Sequence, residues 1–132
     1  MSKPLPLDLD QEGSINGVPF ATLKSALTNA KPRRDGRQIK AVYWIQSEER
    51  TEGFLVRAPS IDEADPFTAA AASGDGAKLN TATRNLATVC TIYPERAELK
   101  ELFEDEPFLP MNLVGKITEI SGGSKGFEIK KT

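Results

Sequence analysis

The stretch NTATRNLATVCTIYPERAELKELFEDEPFLPMNLVGKITEISG, residues 80–122, decides the fold. Apolar residues recur in it at three-to-four spacing, and prolines mark its breaks. With Leu79 just ahead, Ala82, Leu86, Val89, Cys90 and Tyr93 continue one stripe, opposite Asn80, Arg84, Asn85 and Thr88. That pattern predicts a helix running to Tyr93 and stopped by Pro94. Pro94 suits the first position of a second helix, where a missing amide costs nothing, with Glu95 and Glu98 favourable at its positive end. This helix would turn Leu99, Leu102 and Phe103 inward. After Glu106-Pro107-Phe108-Leu109, Pro110 opens a third helix carrying Leu113, Val114, Ile117 and Ile120 and ending at Gly122-Gly123.

Upstream, Ser60-Ile61-Asp62-Glu63 matches a capping box, in which the serine hydroxyl and the glutamate three positions on satisfy free amides at a helix start. Pro66 conflicts with an uninterrupted helix, so the pattern predicts one turn from Ser60 and then a restart, with Asp65 as cap and Pro66 at the first position. The run Ala69–Ala72 favours helix, Gly74 ends it, and Ser73-Gly74-Asp75-Gly76 reads as a linker. Earlier still, Ile39–Ile45 and Phe54–Arg57 are rich in β-branched and aromatic residues and flank a polar segment, which predicts a β-hairpin with a long loop. Alternation puts Ile39, Ala41, Tyr43 and Ile45 on one face and Lys40, Val42 and Trp44 on the other. A lone hairpin is marginal in water, so one face at least must pack. If Tyr43 and Ile45 face the core, Trp44 becomes either a second buried anchor or a large apolar contact for a partner.

The N-terminal third is less patterned. Residues 1–17 are rich in Pro, Asp and Gly, with Leu5, Leu7 and Leu9 alternating against polar residues, and read as a short edge strand or a flexible arm. Pro19 followed by Phe20, Leu23 and Leu27 predicts a short helix to about Asn29. Lys31–Arg37 combines a proline, a glycine and basic residues in an exposed loop. Residues 124–132 read as a mobile tail or a short strand around Phe127 and Ile129. The whole predicts an α+β fold in a single domain over 1–132: an N-terminal β-hairpin followed by a small bundle of three to four short helices.

Composition narrows the chemistry. The chain has 39% hydrophobic and 27% charged residues, within the globular range. Its net charge of -2, from 17 basic and 19 acidic residues, gives no global attraction to nucleic acid or anionic membrane. No apolar run approaches the length of a membrane span, and Met1-Ser2-Lys3-Pro4 is not followed by a signal-peptide core, so a cytoplasmic location is expected. There is no histidine, which removes the usual proton shuttle and the commonest metal ligand. The acidic clusters Asp62-Glu63-Asp65 and Glu101–Glu106 read as helix ends and solvated loop, and no Gly-rich phosphate loop is present. Neither a catalytic site nor a metal or cofactor site is expected. Cys90, the only cysteine, lies on an apolar helical stripe and reads as a small buried hydrophobe.

The order Val89-Cys90-Thr91-Ile92-Tyr93-Pro94, Glu98-Leu99, Leu102-Phe103, Phe108-Leu109-Pro110 and Ile117 through Gly122 resembles the small tail-assembly chaperones of long-tailed bacteriophages, over roughly Phe54 to Gly122. The Ala-rich 68–76 segment departs from the charged helix expected there, and residues 1–37 have no counterpart. The resemblance implies a non-catalytic protein of the host cytoplasm that binds the tape-measure protein and assists polymerisation of the major tail protein around it. Homo-oligomerisation would suit such a coat. Phe103, Phe108, Leu109 and Met111, at a proline-bounded turn, and Trp44 are the candidate partner-binding residues. The resemblance further implies a longer product made by frameshifting, for which Lys130-Lys131 is the natural site. Two alternatives come from other classes. One is a small nucleic-acid-binding module using Arg33, Arg34, Arg37 and Lys40 for phosphate, with Tyr43 or Trp44 stacking on bases. The other is a structural tail or head-completion protein that stays in the particle.

Overall fold

The computed structural model describes residues 5–39, 41–46, 50 and 52–121. Its elements, in chain order, are β1 (Leu5–Pro6), β2 (Ser14–Ile15), β3 (Val18–Pro19), α1 (Phe20–Asn29), β4 (Val42–Gln46), β5 (Gly53–Arg57), α2 (Ile61–Ser73), α3 (Gly76–Cys90), β6 (Thr91–Tyr93), α4 (Arg96–Asp105) and α5 (Leu109–Ile120). The fold is α+β. Its centre is an antiparallel sheet in the order β1-β4-β5-β6.

The predicted hairpin is the middle of that sheet, paired Val42 to Arg57 and Trp44 to Leu55. Alternation along its strands serves two cores. Ile45, Phe54 and Val56 enter one that is closed by Leu86 of α3, Leu99 of α4 and Ile117 of α5. Trp44 and Leu55 enter another, with Leu9 and Leu23. Every residue of β5 is buried because both faces of the sheet are covered.

The covering of the second face overturns one expectation. Trp44 is only 5% exposed, because residues 7–27 supply Leu9, Leu23, Phe20 and Leu27 to that face. It is a core residue, not a partner anchor. Within the described part of the N-terminus, Leu5–Pro6 form a short edge strand, with Leu5 opposite Trp44. Residues 14–19 form a further hairpin, β2–β3, turned by Asn16 (φ 52) and Gly17 (φ 79). Asn-Gly at positive φ is the type I′ signature, matching the twist of the strands it joins. α1 carries Leu23 fully buried, as its spacing predicts.

The helices differ from expectation at three places. α2 is unbroken from Ile61 to Ser73 with Pro66 inside it, so Asp65 is not a second cap. The capping box at its start is complete: Ser60 Oγ accepts from Glu63 N at 3.2 Å, and Ser60 N donates to Glu63 Oε1 at 2.8 Å. Gly74 ends it in the left-handed conformation at φ 74, and Asp75 then caps α3 by accepting from the amides of Ala77 and Lys78. α3 ends at Cys90, not Tyr93. Thr91–Tyr93 instead pair with Leu55 and Val56 as β6, since a β-branched and aromatic run beside an open strand edge gains ladder hydrogen bonds. The Tyr93–Pro94 peptide is cis, and Pro94 precedes α4 without entering it: Glu95 is the cap and Arg96 the first helical residue. In α5 Leu113, Val114 and Ile117 are buried, in the predicted register.

Candidate functional site

The α4–α5 turn divides its apolar residues between core and solvent. Phe108 is the residue preceding α5, and its side chain is 74% exposed; Met111, three positions on and therefore on the same helical face, is 55% exposed. Leu109 and Pro110 between them are buried. Leu109 is thus a correction to the expected contact set, because it closes the first core beside Leu113. Phe103 is half-buried and packs against the same core, offering an edge at most.

This turn is held in place. Leu109 N donates to Glu106 O at 3.0 Å, and Asn112 N to Phe108 O at 3.1 Å. The Glu106 carboxylate pairs with the Arg50 guanidinium, which also lies 3.1 Å from Glu52 and stacks over the Phe54 ring at 5.7 Å. The hydrogen bond to Glu106 raises the Arg50 pKa above its ordinary value, so the guanidinium stays charged. Two large apolar side chains are therefore presented on a braced turn, in a position where preorganisation lowers the entropy cost of binding.

A second concave feature lies between α2 and α3. It encloses about 660 Å³ over a floor of Phe67, Ala70, Leu86 and Val89, with Arg34 and Lys78 on its rim. Glu63 also lines it, but both carboxylate oxygens are engaged: Oε1 accepts from Arg57 Nη1 at 2.7 Å and Oε2 from Arg57 Nη2 at 2.8 Å. Burial acts to raise the Glu63 pKa; the Arg57 donors and the Ser60 amide outweigh it and hold the carboxyl at about 2. Burial likewise disfavours the charged form of Arg57, and its bonds to Glu63 reverse that effect and raise its pKa. The sequence reading missed this pair. Its only signal was an arginine at the end of an apolar strand, six residues before the capping-box glutamate. It also missed Ile61, 78% exposed in the first turn of α2.

The basic loop is folded on itself. Arg33 pairs with Asp35 at 2.9 Å, Gly36 N donates to Arg33 O at 2.8 Å, and Arg37 N donates to Asp35 Oδ1 at 3.1 Å. Arg34 Nη1 donates to Asp62 O. Lys40 falls outside the described residues, as do Lys130 and Lys131. Of the two aromatics named for base stacking, Trp44 is buried and Tyr43 packs half-buried against the first core. Cys90 is fully buried, and burial pushes its thiol up to about 12, which leaves it protonated and unreactive. Among the described residues no helix is long and apolar enough to cross a membrane, and no group of acidic residues and cysteine could hold a metal ion.

A family model described as Domain of unknown function (DUF6848) matches residues 37–130. Leu9 and Leu23, which complete the second core, lie ahead of the matched segment. No curated protein and no solved structure matches the chain.

Proposed function

We propose, for a chain that belongs to the DUF6848 family, that it is a non-catalytic tail-assembly chaperone of a long-tailed bacteriophage. In this reading it acts in the host cytoplasm, binds the tape-measure protein and assists the major tail protein to polymerise around it. The observation that carries the reading is the pair Phe108 and Met111, exposed side by side on a braced turn. A tape-measure protein that is long and helical needs its apolar stripes shielded until the tube closes over them. An aromatic ring and a flexible thioether on one ledge can bury against such a stripe and release it again. The resemblance over Phe54 to Gly122 supplies the identity of the partner; the exposed pair supplies the contact.

The test is binding of the full chain to a helical tape-measure fragment. Phe108→Ser with Met111→Ser should lower affinity by about tenfold or more, as expected when two central apolar anchors are removed, with the melting temperature unchanged. Affinity that falls steeply with added salt, together with competition by single-stranded nucleic acid, would transfer the function to the 31–40 segment. Mass spectrometry of purified particles separates a chaperone, absent from them, from a structural tail or head-completion protein, present in fixed copy number.

A further inference from the structure

The α2–α3 groove shares no lining residue with α4 or α5, so it is a surface distinct from the one the chaperone reading uses. Its floor is apolar, and its walls carry small side chains, Ala69, Ala77 and Ala82 among them, which let another helix backbone come close. The charged groups that line it are Arg34, Lys78 and Glu63. Glu63 is spent internally on Arg57 and Ser60. Arg34 contacts only the backbone carbonyl of Asp62 across the fold, and among the described residues no carboxylate pairs with either Arg34 or Lys78. Asp62 and Asp65 on α2 and Arg84 on α3 are exposed but do not line the groove. The groove is therefore mainly apolar, with Ser73, Thr81 and Asn85 as its neutral polar lining. Towards each end it carries a cation that forms no ion pair among the described residues, although the Asp75 carboxylate lies at the backbone amide of Lys78.

The two ends are set by the helices. Arg34 stands at the first turn of α2, beside Asp62 and Glu63. Lys78 is in the first turn of α3, which the Gly74-Asp75 connection places at the far end of α2, near Ser73. Roughly ten helical residues, about 15 Å, separate those positions. We infer that the α2–α3 groove binds an acidic amphipathic helix of a partner protein, with carboxylates at both ends of its apolar stripe meeting Arg34 and Lys78. Such a helix completes a third position against two that already pack together, the helix-in-groove mode of recognition. Charge complementarity selects it over a basic helix, which would be repelled, and the apolar concave lining selects it over nucleic acid and over a flat membrane surface, neither of which offers a narrow apolar ridge to fill a groove.

The test uses the full chain and a fluorescein-labelled synthetic helix of roughly eighteen residues. It carries leucines on one stripe, bracketed by two glutamates about eleven residues apart and so on the same face. A second peptide carries lysines in place of the glutamates. Fluorescence polarisation should show the glutamate peptide binding about tenfold more tightly than the lysine peptide, the order expected of two exposed charge contacts together with the repulsion they replace. Arg34→Glu with Lys78→Glu should invert that preference, a reversal that a loss of stability from the missing Arg34 contact would not produce, and Thr81→Trp, at an exposed position lining the groove, should abolish binding of both. Phe108→Ser with Met111→Ser should leave peptide affinity as it is. Failure of the unaltered chain to bind, equal affinity for the two peptides, or loss of binding in the Phe108 and Met111 variant would each overturn the proposal. The last result would leave the chaperone reading standing.

Discussion

The guanidinium of Arg34 donates to the carbonyl oxygen of Asp62 at 3.4 Å, joining the basic loop to α2. In an uninterrupted helix that carbonyl accepts from the amide four residues on, but here that residue is Pro66, which has no N–H. A long-range side chain thus occupies the acceptor that a local residue leaves open.

Arg34→Met should accordingly lower the unfolding free energy by about 0.5 kcal/mol, the low end of one hydrogen bond's net worth, because this bond is long and solvent-exposed. Pro66→Ala restores the missing amide and should raise stability. In that background Arg34→Met should lose most of its effect, as read from a urea-denaturation double-mutant cycle. An unchanged cost would show that Arg34 does not serve that carbonyl.

Removing one member of the buried Arg57–Glu63 pair leaves the other charge uncompensated. Glu63→Gln should cost about 3–5 kcal/mol. In the unaltered chain the folded carboxyl sits at about 2 against an ordinary 4.5, so on acidification the unfolded chain takes up the proton first. The pair's contribution is complete above about pH 4.5 and is lost as pH falls towards 2, a total on the order of 3 kcal/mol. Thermal melts across that window should steepen for the unaltered chain and stay flatter for Glu63→Gln.

Gly53 lies against the indole of Trp44. A Cβ at that position would fall 2.1 Å from Trp44 Cζ2 and 2.3 Å from Cε2, closer than atoms can pack. Because Trp44 is buried in the second core, it cannot swing into solvent without opening that core. Gly53→Ala should cost about 1–3 kcal/mol and shift tryptophan emission to the red. Gly115, on α5 with nothing within 4 Å of an added Cβ, makes the contrast: Gly115→Ala should stabilise by roughly 0.5–1 kcal/mol through backbone entropy.

On α3, Leu86 is 4% exposed in the first core and Arg84 is exposed. Leu86→Asp should therefore prevent folding by burying an unpaired charge, whereas Arg84→Asp should change the melting temperature little. Equal melting temperatures for Leu86→Asp and the unaltered chain would contradict the register of this helix.

By itself the sequence determined what depends on neighbours within about one helical turn. The faces of α1 and α5, the alternation of the central hairpin, the capping box at Ser60 and the stop at Gly74 were legible because spacing, side-chain caps and glycine backbone freedom act locally. The hairpin turned at Asn16-Gly17, between Ile15 and Val18, was missed, because the surrounding Pro, Asp and Gly made the segment read as an edge strand or an arm. Tertiary structure alone decided the rest, and each case turns on a partner far along the chain. α3 stopped at Cys90 because the β5 edge recruited Thr91–Tyr93. Trp44 was buried because residues 7–27 fold over its face. α2 continued through Pro66 with Arg34 on the vacant carbonyl, and of the apolar residues at the α4–α5 turn the core took Leu109 and left Phe108 and Met111 outside. Local patterns state which residues are apolar or helix-breaking. Whether such a residue is covered, paired or left to meet a partner depends on surfaces that exist only once distant segments have packed.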